Sequence, residues 1–177
     1  SEEQCSLLAR LGVTIQRGGV IKLLGSFLGL DDAARTSACT ALVNKRLQAF
    51  RIALFHHSVS AQLFFVVLRL CVVTAFNFLA RVLPPAVFAP AAEAIDKFTV
   101  DVISARLAIP ELTRYDCARK LLFLPLNRAG AGITSLWTTS PVAFLSSVLE
   151  FVGCNPTRLA VDVLRRSAVM GQARAAF

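Results

Sequence analysis

The chain has little with which to do chemistry. It carries two histidines, one tryptophan and one tyrosine. Five cysteines (Cys5, Cys39, Cys71, Cys117 and Cys154) lie far apart, with no C-x-x-C pair and no histidine at ligand spacing beside any of them. That dispersal argues against a zinc site or a disulfide framework, and for reduced, buried thiols in an intracellular chain. His56 and His57 are adjacent, so on a helix they would point about 100° apart and could not share one metal. No Gly-rich phosphate loop with its lysine is present, no G-x-S-x-G elbow and no H-E-x-x-H. No carboxylate pair sits in an obviously buried setting, and Asp31-Asp32, which follows Gly29-Leu30 and precedes a helical pattern, is expected to cap that helix rather than hold metal. The sequence therefore predicts no catalytic residues, no metal and no cofactor.

What the chain does have is apolar mass and positive charge. Its 177 residues, 55% hydrophobic with a mean hydropathy of +0.62, exceed the apolar share of about 45–50% usual in globular chains. One domain with a sizeable core is expected, either largely covered by partners or in contact with lipid. The net charge is +8 and the pI about 10.0, which favours polyanionic partners. Four of the 19 basic residues are Lys and the rest are Arg, a bias that suits bidentate phosphate contacts and equally follows from base composition in the gene. The start shows no charged n-region and no cleavage-site pattern, so a processed, trimmed or expressed fragment is expected.

Periodicity predicts a mainly α-helical fold, a bundle of about five to six helices with a short N-terminal β-hairpin. Residues 1–30 form the hairpin-bearing segment, 31–123 the bundle core, and 124–177 a Gly-containing loop with C-terminal helices, all in one domain. The hairpin is expected where Val13–Ile15 and Val20–Leu24 flank Gln16-Arg17-Gly18-Gly19. A helix end is expected over 4–11. From about Ala33, Ala38, Leu42, Val43, Leu47, Phe50, Leu54 and Phe55 step by three and four, while Arg35, Lys45, Arg46 and Arg51 mark a basic outer face. Residues 59–83 are long and apolar enough for a membrane span. Arg69 near the middle costs roughly 2.5–3.5 kcal/mol there, so a buried helix at the centre of the bundle is the better reading. Arg69 would then need a partner, with Glu93, Asp96 and Asp101 as candidates. Pro84, Pro85 and Pro90 are expected to precede a helix over 91–108, with Ile95, Phe98, Val102, Ile103 and Leu107 facing the core. A shorter helix over 113–123 follows. Two more are expected, one capped by Ser140 and running to Val152, the other from Asn155-Pro156 through Met170.

Three phrases carry a resemblance: LLGSFLG at 23–29, LRLCVVTAFNFLARVLPP at 68–85, and LPLNRAGAGITSLWTTSPVAFLSSV at 124–148. In that order they resemble the region after the catalytic palm in reverse transcriptases of non-LTR and related retroelements. There the pattern runs LLG-x-x-x-G, L-L-R-x-C through R-x-x-PP, then LP-x-R-x-GG-x-G-x-x-S. This chain departs from it with Asn127 before the basic residue and Ala129-Gly130 in place of Gly-Gly. The resemblance implies a thumb without its palm, whose metal-binding carboxylates would lie upstream of Ser1. It also places Arg69, Cys71 and Arg81 at family positions.

The expected function is that of a non-catalytic, RNA-contacting scaffold component of a large ribonucleoprotein such as a mitochondrial ribosome. Expected partners are RNA and neighbouring proteins, in an intracellular setting with the mitochondrion favoured. Two alternatives stay open: an RNA-free subunit of a membrane or other multiprotein complex, and the thumb fragment of a split reverse transcriptase. Candidate nucleic-acid contacts are Lys22, Lys45, Arg46, Arg51, Arg128, Arg165 and Arg166. Base stacking has little support in the sequence, since Trp137 and Tyr115 are lone and the 13 Phe lie mainly on apolar faces.

Overall fold

The structure is a computed structural model, and it describes residues 20–154 apart from Leu24 and Leu30. The fold is mainly α-helical with a two-stranded antiparallel hairpin ahead of the helices.

The hairpin lies one strand later than the sequence pattern suggests. β1 is Val20–Leu23 and β2 is Ser26–Gly29, paired from Val20 opposite Gly29 to Leu23 opposite Ser26. The run read as a second strand is thus the first, and its turn contains Gly25 at φ +87°, a left-handed conformation that glycine adopts without steric cost. Residues 13–15 and the Gly18-Gly19 pair, like the helices expected over 4–11 and 155–170, lie outside the described residues. Phe27 is buried where β2 packs on the first helix.

That helix, α1, spans Asp32–Leu54. Asp31 caps it, its Oδ1 accepting from the Ala33 N–H at 2.9 Å. Cys39, Val43, Leu47 and Leu54 are buried along one stripe, whereas Phe55 lies beyond the helix and is exposed.

α2 runs from Ala61 to Val82 but is not one regular helix. It is α-helical over Ala61–Val67, widens into a π turn over Leu68–Val72, tightens into a 3-10 turn at Thr74–Phe76, and resumes over Asn77–Val82. Spacing explains the widening. Phe64, Leu68, Val72 and Phe76 are all fully buried and fall four apart. In an ideal α-helix each four-residue step overshoots a full turn by about 40°, so such a row drifts off its face. The π turn takes up that drift, with the Val73 N–H reaching back to the Leu68 carbonyl at 3.3 Å. Thr74 Oγ1 donates to the Leu70 carbonyl, giving that displaced acceptor a partner.

The expectation of a central, buried helix over 59–83 is corrected. Only 39% of the apolar window in α2 is buried, and Leu63, Val66, Leu70, Phe78 and Val82 are exposed on its outer side. The central element is α3, Pro85–Leu107, which packs against both α1 and the last helix. Val87, Phe88, Ala91, Ala92, Ile95, Val102 and Ile103 are all buried, and the paired alanines bring its neighbours close. α3 begins earlier than expected because Pro85 occupies a first-turn position, where a missing N–H costs nothing. Pro90 stands inside the helix, in its second turn, on the solvent side where water can serve the freed Ala86 carbonyl. Ala108 closes the helix at φ +54°. Leu107, expected in the core, is exposed.

The expected helix over 113–123 is split at Tyr115 into α4, Glu111–Arg114, and α5, Asp116–Phe123. A loop then leads to α6, Leu136–Cys154, which starts a turn before Ser140 and carries Pro141 inside it. α6 packs on α3 and on the second half of α2. Across that seam Arg81 donates to Ser147 Oγ at 3.0 Å and Glu150 Oε2 at 2.9 Å. The described thiols do not follow the all-buried expectation. Cys39 alone is buried, and burial pushes its thiol up to about 11, while Cys71, Cys117 and Cys154 are exposed.

Candidate nucleic-acid interface

The described members of the predicted contact set all reach solvent. Lys22 stands on β1, Lys45, Arg46 and Arg51 on α1, and Arg128 at the end of a 3-10 turn, Leu126–Arg128. Arg165 and Arg166 lie outside the described residues. At about 100° per residue, Lys45, Arg46 and Arg51 point in three well-separated directions around α1. They do not make one basic face.

A more organised arrangement surrounds the first turn of α6. Asp96, in the middle of α3, accepts from Ser135 Oγ at 2.5 Å, from the Leu136 N–H at 2.9 Å and from the Trp137 N–H at 3.2 Å. Ser135 in turn accepts from the Thr138 N–H at 3.3 Å, the usual capping contact. Burial raises the Asp96 carboxyl above the ordinary aspartate range; the hydroxyl, the two amides and the charge of Arg119 pull the other way. The helix end is thus already supplied with its anion, so any further anion must be held by side chains.

The loop before α6 is shaped by glycine. A Cβ on Gly130 would lie 2.1 Å from the Leu124 carbonyl oxygen, so this backbone crossing admits no side chain. Gly132, at φ +65°, donates its N–H to that same carbonyl at 2.9 Å. The backbone thus makes its close approach at Gly130 although residue 129 is alanine. Ala129 itself adopts φ +58°, a conformation glycine accommodates better.

Two grooves flank the α6 turn, sharing Phe123, Ser135 and Thr138. The first, about 480 Å³, is lined by Arg69, Asn127, Thr134 and Thr139 besides the shared residues. A Cβ on Gly132 would come within 3.5 Å of Arg69 Cζ, which places the guanidinium over the glycine loop. The expectation that Arg69 is buried against Glu93, Asp96 or Asp101 is corrected. The π turn carries it outward, it is exposed, and no ion pair holds it among the described residues. The second groove, about 510 Å³, gathers Trp137, Lys97, Arg119 and Lys120 with Glu93, Asp96 and Asp101.

Chemically, these walls offer cations, hydroxyls, an amide and one exposed indole. They suit an anionic, aromatic ligand held without covalent chemistry. Among the described residues no three of His, Cys, Asp and Glu come together as a metal-binding group. His56 and His57 sit in the turn after α1 with ring centroids 4.3 Å apart, and His56 Nδ1 lies 2.7 Å from Ser58 Oγ.

Arg69, Trp137, Lys97, Arg119, Lys120 and Asn127 were absent from the predicted set. The signal for them is tertiary: Asp96 ties α3 to the α6 turn, and the Ala131 and Ile133 amides tie the loop before it to the Leu121 and Leu122 carbonyls of α5. No protein family, curated protein or solved structure matches the chain.

Proposed function

We propose that this chain is a non-catalytic, RNA-contacting helical domain, of the kind found after the palm in retroelement reverse transcriptases, serving as a scaffold component of a larger ribonucleoprotein such as a mitochondrial ribosome. The observation that carries the reading is the balance of exposed charge. Ion pairs among the described residues are confined to Arg35–Asp32 and Arg81–Glu150. Lys22, Lys45, Arg46, Arg51 and Arg128, with Arg69, reach solvent outside those pairs and away from the acidic groups that face Lys97, Arg119 and Lys120. Cations left uncommitted within the fold are available to phosphates, which supply affinity without sequence choice.

The exposed apolar row on α2 supports life within an assembly, since so large a patch is normally covered. It equally favours a second reading, an RNA-free subunit of a membrane or multiprotein complex, because α2 has the length and composition of a span. The exposed Arg69 in mid-helix weighs against lipid on all sides.

The test is purification of the native particle at mild salt, with nuclease treatment and mass spectrometry, beside binding of RNA by the full chain. Co-migration with RNA that nuclease disrupts is expected. Because Lys45, Arg46 and Arg51 point in different directions, neutralising the one that faces RNA should lower the slope of log affinity against log salt by about one, and the other two should leave it unchanged. An RNA-free membrane particle would overturn the reading, and a co-purifying chain with an aromatic-x-Asp-Asp motif would recast the protein as the thumb of a split polymerase.

A further inference from the structure

The two grooves differ in a way that matters for what fills them. Among the described residues Arg69 is the only charged group lining the first, where the Asn127 amide and the Thr134 hydroxyl add neutral donors, the hydroxyl protons of Thr138 and Thr139 being given to the Ser135 carbonyl. That is the composition of a phosphate subsite: one planar cation, with an amide and a hydroxyl that donate without repelling an anion. In the second groove Lys97, Arg119 and Lys120 are balanced by Glu93, Asp96 and Asp101. A phosphate gains little there. The distinctive feature is Trp137, 53% exposed, whose backbone is fixed by the Asp96 contact and whose ring is not packed away.

We propose that one step of single-stranded RNA straddles the first turn of α6, its base stacked on Trp137 and its phosphate held by Arg69 in the adjoining groove. The inference rests on the RNA-contacting reading and assigns the place of contact. The grooves share Thr138 and Ser135, so base and phosphate sites lie on either side of one turn of helix. Stacking needs an unpaired base, because a base inside a duplex offers no free face. The surface therefore selects single strands, and tolerates any sequence, since every base has a π-face. A lone exposed indole would ordinarily add little; here the neighbouring cation gives the base a fixed partner along the backbone.

Trp137 is the one tryptophan of the chain, so its emission reports this site directly. The experiment titrates the full chain with a short, unstructured oligouridylate, following tryptophan fluorescence and, separately, anisotropy of a labelled copy of the same RNA. Quenching at the concentration where anisotropy rises is expected, with a duplex RNA of equal length quenching little. Trp137→Ala should weaken binding about tenfold, and Trp137→Phe, which keeps a stacking ring, should retain most of it. Arg69→Gln should lower the salt slope by about one. Both side chains are exposed, and the circular dichroism of each variant confirms the fold. Binding by anisotropy with unchanged tryptophan emission and no effect of Trp137→Ala would overturn the inference and leave the RNA reading standing. Equal quenching by duplex RNA would also overturn it. No binding even at low salt would overturn both.

Discussion

Asp96 and Ser135, 39 positions apart, meet at 2.5 Å, and that contact fixes where the last described helix begins. Ser135 caps the Thr138 amide from within the chain, and Asp96 supplies acceptors for the Leu136 and Trp137 amides from outside the helix. Asp96→Ala leaves the Leu136 and Trp137 amides without that acceptor and should lower stability by about 2 kcal/mol in urea unfolding.

The same carboxyl gives a pH signature of unusual sign. Its folded value is raised by burial, so between the ordinary aspartate value of about 3.9 and the folded value the native state binds the proton more tightly than the unfolded chain does. Stability contributed by Asp96 is therefore fully present below that window, falls as pH rises through it, and is level above. Unfolding of the wild type and of Asp96→Asn across acidic pH should show the difference shrinking upward through this range; a difference that grows with pH would contradict it.

Ala129 and Gly130 should respond oppositely to exchange. Ala129→Gly relieves a left-handed alanine and should raise stability by about 0.5–1 kcal/mol. Gly130→Ala drives a methyl into the Leu124 carbonyl and should cost about 3 kcal/mol or more. Denaturant midpoints of the two variants check both.

Thiol labelling separates the cysteines. Cys71, Cys117 and Cys154 should react promptly at pH 8. Cys39, buried and with its thiol pushed up to about 11, offers a thiolate fraction of about one in a thousand and should label only on unfolding. Peptide mapping after a brief alkylation reads the result.

The helical fold was legible because its cues are local. Asp31 before an apolar period marks α1, and the spacing of Ile95, Phe98, Val102 and Ile103 marks α3, whose start the prolines place at 91 where the helix begins at Pro85. What the sequence hid depends on distance. The sequence puts the α6 start at Ser140 because Ser135, the residue that caps it, is picked out only by its contact with Asp96 on another helix. Arg69 was placed in the core because a run of apolar neighbours looks buried on every side. Only the packing of α3 against α1 and α6 shows that α2 lies to one flank. Trp137 looks isolated in the sequence because the residues that line its groove, Lys97, Arg119 and Lys120, come from other elements.

The π turn in α2 gives that segment one residue of slack. Leu70 is 60% exposed, and replacing it with Ala should change stability by no more than about 0.5 kcal/mol. Deleting it lets the wide turn close into an ordinary α turn, in which Phe64 and Phe76, then eleven positions apart, fall within about 20° of one face. Both phenylalanines stay inside, so the variant should keep its fold in circular dichroism. A second deletion would rotate the halves by about 100° and expose one ring, and losing a phenylalanine from a core costs about 3–5 kcal/mol. A lineage could shorten this surface once, and only once.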